Sequence, residues 1–137
     1  MMLLKGKHIF IVEDNIENRV VYKMVLTMQG AKITFERWGE GTLVLLKQAQ
    51  RVDLIILDLM LTAGTSGFDI FDTIRSQPEY NAIPIIAVSA SEPIYAMAVA
   101  QSKGFSGYIA KPIDDDLFPK QLARIIAGNK VWSIDGK

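Results

Sequence analysis

The sequence predicts an α/β fold: a doubly wound, five-stranded parallel sheet with helices on both faces. Three observations lead to it. Short apolar runs alternate five times with stretches of helical spacing, the pattern of successive right-handed crossovers. The third and fourth runs, Leu54 to Leu57 and Ile83 to Val88, are nearly continuous in Ile, Leu and Val, as strands buried on both faces are. Polar and charged residues stand at the carboxyl ends of four runs, where open parallel sheets build their sites.

The five strands are predicted at His8 to Val12, Lys32 to Phe35, Leu54 to Leu57, Ile83 to Val88 and Gly107 to Ala110. The first helix is marked by Ile16, Val20 and Met24, widened by Val21, Val25 and Met28, with Gly30 as its stop; such a stripe is normally the face turned to a core. Leu43, Leu46 and Ala49 mark the second helix, weakened at its start by Gly39 and Gly41. Ile70, Phe71 and Ile74 mark the third. An Ala-rich fourth runs from about Pro93 to Lys103, with Ser91 placed to cap it and Gly104 to end it. Leu117, Leu122, Ile125 and Ile126 form the fifth. The stretch 128–137 has no clear period and is expected to be a tail or linker, with Trp132 its one bulky aromatic.

Composition narrows the function. At 137 residues, half of them hydrophobic, the chain has room for one packed domain. Fifteen basic residues balance fifteen acidic ones, which leaves no footprint for nonspecific nucleic-acid or membrane binding. The absence of cysteine excludes disulfides and thiolate metal sites. No apolar run approaches the roughly 18 residues of a membrane span, and Lys5, Gly6 and Lys7 interrupt the start where a signal peptide would be apolar. A cytoplasmic location is the default expectation.

Strand one ends in Glu13-Asp14, strand three in Asp58, strand four in Ser89 and strand five in Lys111-Pro112. Singly, each has an ordinary explanation: Asp14 as a helix cap, Asp58 as a turn residue, Ser89 as a cap, Lys111 as a solvated lysine before a turn. Those readings do not explain four strand ends supplying three carboxylates, a hydroxyl and an ammonium to one rim. The set suits phosphoryl transfer to a carboxylate. Clustered carboxylates invite a hard divalent cation such as magnesium, Lys111 offers a second positive charge, Ser89 a hydrogen bond, and an ionised Asp58 needs no base to attack phosphorus.

Ile11-Val12-Glu13-Asp14-Asn15, Leu54 to Met60, Val88-Ser89-Ala90 and Gly104 to Asp114 together resemble the motifs of the two-component response regulator receiver domain, the CheY-like family. The match runs over about residues 7 to 127, and the spacings of 44 positions from Asp14 to Asp58 and 22 from Ser89 to Lys111 are ordinary for it. The resemblance implies a flavodoxin-like (βα)5 fold with strand order 2-1-3-4-5, a receiver domain over 1–127 and no output domain in 128–137. It implies that Asp58 is the phosphoacceptor and that Glu13, Asp14, Asp58 and the backbone carbonyl of Met60 bind Mg2+. Ser89 and Lys111 would contact the phosphoryl group, with a cis Lys111–Pro112 bond, and Tyr108 would be the switching aromatic.

The implied partners are a sensor histidine kinase or histidine phosphotransfer protein and a downstream protein target, reached through the surface of the fourth helix, fifth strand and fifth helix. A phosphorylation-dependent homodimer is compatible, and so are a stand-alone regulator and a receiver from a hybrid kinase; direct nucleic-acid and membrane contacts are not expected. The domain would promote its own phosphorylation and dephosphorylation without being an enzyme in the ordinary sense.

The chain departs from the family after Asp58. Leu61 to Gly67 lacks the usual proline and runs one residue longer, an insertion loops tolerate cheaply, so the metal site is expected to survive. Met60 and Ser91 flank the site and are expected to tune the phosphoryl lifetime. Other functions fit worse. A pseudo-receiver would lack one of the key residues. A dehalogenase-like phosphatase needs an Asp where Met60 stands, and a flavin carrier would meet Glu13-Asp14 where its phosphate loop belongs. The lone histidine, His8, is expected at the surface or a strand edge rather than as a ligand.

Overall fold

A computed structural model describes residues 2–61, 64–90 and 92–134. The strands are β1 (His8–Val12), β2 (Lys32–Glu36), β3 (Leu54–Leu57), β4 (Ile85–Ser89), β5 (Gly107–Ala110) and β6 (Val131–Ser133). The helices are α1 (Ile16–Thr27), α2 (Thr42–Gln48), α3 (Gly67–Arg75), α4 (Pro93–Lys103) and α5 (Leu117–Ile126). All strands pair in parallel in the order β2-β1-β3-β4-β5-β6, so the expected 2-1-3-4-5 order stands with one strand added at its edge.

Alternation along the strands divides the core in two. Phe10, Val12, Ile55, Leu57, Ile85, Ala87 and Tyr108 face α2, α3 and α4. Ile9, Ile11, Leu54, Ile56, Ile86, Val88 and Ile109 face α1 and α5. Every residue of β1, β3, β4 and β5 is buried, which is why those runs lack the polar alternation of a one-sided sheet.

Three expectations are corrected. The apolar stripe of α1 is not the face it buries. Ile16, Val20, Val21, Met24 and Met28 are between 39% and 73% exposed, whereas Tyr22 and Leu26 are buried. One turn apart, those two pack with Phe118 and Leu122 of α5. The helix carries two apolar faces, and the one that meets α5 takes the core, with Val25 of the predicted stripe partly buried at its border.

As far as residue 134, the stretch after α5 is not a free tail. Gly128 turns the chain at φ +106°, and the backbone N–H of Asn129 donates to the Arg124 carbonyl at 3.0 Å. Val131–Ser133 then pairs with β5 as β6. Gly107 on β5 fits this strand: a Cβ there would lie 2.6 Å from the Val131 carbonyl oxygen.

His8 is buried rather than superficial. Its ring nitrogens lie 2.5 Å from the Arg51 carbonyl oxygen and 2.7 Å from the Thr34 hydroxyl, a structural role at the end of the sheet away from the carboxylates. α4 starts at Pro93 without a side-chain cap and ends at Gly104 with φ +97°; the predicted cap, Ser91, lies outside the described residues.

Candidate functional site

Asp14 reaches the rim without having to cap a helix. Asn15 is the cap of α1, its side chain accepting from the Asn18 N–H at 2.9 Å. Glu13 is drawn inward, only 1% exposed, with one carboxylate oxygen accepting from the Asn15 N–H at 3.2 Å.

Asp58 follows β3 and is likewise buried. Its Oδ1 accepts from the Met60 N–H at 3.1 Å. The Pro-lacking loop beyond is pinned at both ends: Met60 bridges to Ser66, and the Gly67 N–H donates to the Leu59 carbonyl at 3.2 Å. Ser66 caps α3, accepting from the Phe68 N–H at 3.1 Å. Thr62 and Ala63 lie outside the described residues.

Lys111, from the end of β5, completes the constellation. Its Nζ lies 2.7 Å from Glu13 Oε1 and 3.1 Å from Asp58 Oδ2, and the Lys111–Pro112 peptide is cis, as expected. Glu13, Asp14 and Asp58 each offer an oxygen within 4.8 Å of the others. Ser89 at the end of β4 is fully buried, and its carbonyl accepts from the Lys111 N–H at 3.0 Å. Tyr108 is fully buried on the same sheet face; its register partner on β4 is Ala87, two residues before Ser89. Met60 itself is exposed.

The electrostatics follow from burial and proximity. Burial pushes the Glu13 carboxyl up; the Lys111 hydrogen bond and charge oppose that rise and the Asp58 charge adds to it. Burial alone would lower the Lys111 ammonium, but its hydrogen bond to Glu13 and the charges of Asp58 and Glu13 outweigh it and hold the group above its ordinary value. A partly buried lysine is thereby kept charged between two buried carboxylates.

Sequence reasoning missed two supports of this site. A Cβ on Gly67 would lie 2.3 Å from the Asp58 carbonyl oxygen, so α3 starts against the backbone of the acceptor strand only because residue 67 has no side chain. Tyr22, on α1 but outside its predicted stripe, forms part of a cleft of about 440 Å³ with Asn18, Val21, Lys111, Pro112 and Ile113. Asn15 was a readable capping residue, an Asn directly before the helical run; the Gly67 approach was not readable before β3 and α3 met.

Residues 9–123 match the family model described as the response regulator receiver domain. The chain belongs to that family, whose members are phospho-accepting switches of two-component signalling. It is 32% identical to the polar-differentiation response regulator DivK of Brucella anthropi, over 78% of this chain and 85% of that one. It is 29% identical to the transcriptional regulatory protein AfsQ1 of Streptomyces coelicolor over 93% of this chain. It spans 54% of that relative's length and 18% of the CAI-1 autoinducer sensor kinase/phosphatase CqsS of Vibrio cholerae. Among solved structures, the chemotaxis response regulator CheY4 of Vibrio cholerae superposes with a TM-score of 0.78 at 24% identity, covering 87% of this chain and 98% of that one. The Mn(2+)-bound form of response regulator Rcp1 does so at 0.72 and 21%, covering 90% and 94%.

Proposed function

We propose that Asp58 is the phosphoacceptor of this receiver domain, taking a phosphoryl group from the phosphohistidine of a sensor kinase or histidine phosphotransfer protein. The observation that carries this is the Asp58–Lys111–Glu13 arrangement: a buried carboxylate at a strand end with a charged ammonium 3.1 Å away. A carboxylate oxygen of Asp58 attacks phosphorus and forms the acyl phosphate. The bond from phosphorus to the donor imidazole nitrogen breaks, and the imidazole leaves with the electron pair. Lys111 neutralises charge on the transferring oxygens, and Ser89 donates its hydroxyl hydrogen to one of them.

The all-oxygen donor set, with three carboxylates converging within 4.8 Å, fits a hard divalent cation. Glu13, Asp14, Asp58 and the Met60 carbonyl are the groups that would hold Mg2+, whose charge offsets the phosphoryl charge when it is bound. Glu13 would contribute through water, since its Oε1 accepts from Lys111 and its Oε2 from the Asn15 N–H.

The donor docks beside α1. The exposed Ile16–Val20–Met24 stripe and the cleft between α1 and Pro112–Ile113 offer an apolar surface next to Asp58, of the kind an amphipathic helical partner covers. Output follows from a population shift in which Ser89 and Tyr108 repack and alter the α4–β5–α5 surface for a downstream protein. Among the described residues no helix is long and apolar enough to cross a membrane.

Intact mass after incubation with acetyl phosphate and Mg2+ tests the reading. One added phosphoryl group is expected, absent without Mg2+ and absent in Asp58→Asn. No added mass, together with no beryllofluoride binding, would refute it.

A further inference from the structure

β6 adds a sixth strand beside β5, and it lies against the residue given the switching role. In parallel register, Gly107, Tyr108 and Ile109 pair with Val131, Trp132 and Ser133. Side chains of directly paired residues share a sheet face, so Tyr108 stands between Ala87 on β4 and Trp132 on β6. Trp132 packs onto the same core cluster as Tyr108, Ala96, Ala100 and Phe105. The small neighbour is on the phosphoacceptor side and the large one on the outer side. A path for the Tyr108 ring toward the edge of the sheet is therefore filled by an indole.

The docking is specific yet light. Gly107 leaves room for the Val131 carbonyl oxygen, which a Cβ would meet at 2.6 Å, and Val131 is buried between β5 and α5. Against that, β6 is three residues long, and as the edge strand it is paired on one side only, to β5. Its Ser133 hydroxyl is buried with no hydrogen-bond partner among the described residues, an arrangement that costs stability. A strand with so few anchors opens at a lower free energy than the core strands it covers.

We propose that β6 is a strap that closes the outer edge of β5 over Tyr108, so that ligation of the Asp58 site and docking of β6 form one coupled equilibrium. This rests on the phosphoacceptor reading above. On one sheet face, Ser89, Tyr108 and Trp132 occupy three successive strands from the site to the edge. When the Ser89 hydroxyl turns to a phosphoryl oxygen, the inward position of Tyr108 is favoured. With Tyr108 inward, Trp132 seats and β6 is held. Coupling of this kind is reciprocal: a docked strap strengthens ligand binding at Asp58 as much as the ligand strengthens docking.

The test uses the full chain with Mg2+ and beryllofluoride. Amide hydrogen exchange in residues 129–134 is expected to slow by about five-fold or more on beryllofluoride binding. In Trp132→Ala, and in Gly107→Ala where the new Cβ pushes on the Val131 carbonyl, fluorine NMR is expected to show beryllofluoride bound about five-fold more weakly. Trp132→Ala keeps the question answerable if Gly107→Ala does not fold. Native-like affinity in a variant whose 129–134 amides exchange freely overturns the strap and leaves the phosphoacceptor reading intact. Failure of the native chain to bind beryllofluoride overturns both.

Discussion

Lys111 Nζ sits 2.7 Å from Glu13 Oε1 and 3.1 Å from Asp58 Oδ2, joining the ends of the first, third and fifth strands through one ammonium. Glu13 and Lys111 are 98 residues apart in the chain. The contact exists because parallel strands β1, β3, β4 and β5 all end on the same rim.

Replacing Lys111 with Met leaves two buried carboxylates facing each other. Removing one partner of a buried ionic group typically costs about 3 kcal/mol, and urea denaturation at neutral pH should show a loss of that order. The deficit should shrink as pH is lowered. Burial already raises the Glu13 carboxyl, so the folded variant takes up a proton before the unfolded chain does, and that uptake relieves the repulsion. A deficit that grows on acidification would contradict the pairing.

Gly67→Ala acts through the backbone. The new Cβ would lie 2.3 Å from the Asp58 carbonyl oxygen and 2.9 Å from the Leu59 Cα, neither of which yields as a flexible side chain would. A loss of about 2 kcal/mol is expected from this overpacking, together with slower phosphorylation by acetyl phosphate as Asp58 is displaced. Native stability and native rate in the variant would show that α3 can start elsewhere.

Tyr22 reports the charge of the site from below. Burial first, then the charges of Glu13 and Asp58, push its phenol well above the ordinary range. In the unfolded chain the phenol ionises near its usual value of about 10, while the folded protein keeps the proton. Stability should therefore fall as pH rises above that value. Tyr22→Phe should flatten this decline, which thermal melts across the alkaline range would measure.

Charging the exposed face of α1 separates docking from chemistry. Val20→Glu and Met24→Glu change residues that are 54% and 60% exposed, so folding stability should move by no more than about 0.5 kcal/mol. Labelling by acetyl phosphate should be unchanged. Transfer from a phosphorylated histidine phosphotransfer domain that loads the native chain should slow at least ten-fold, about 1.4 kcal/mol of lost docking. Equal rates from both donors would remove α1 from the docking surface.

The sequence by itself determined the order of strands and helices and the identity of the rim. Strands such as Leu54–Leu57 are buried on both faces and are written mostly in apolar residues, and a charged residue directly after such a run must stand at its end. Local chemistry was legible for the same reason: Gly104 ends α4, and Pro93 begins it. Tertiary structure decided matters in which two segments compete for one surface. Ile16, Val20 and Met24 have the period of a buried face, yet Tyr22 and Leu26 occupy the core, because burial goes to the face with matching partners on α5. The 128–137 stretch is too short and irregular to read as a strand, and β6 forms because β5 presents an open edge beside Gly107. Apolar periodicity records how much surface a segment can bury. Which part of it is buried depends on the shape of the segments it meets.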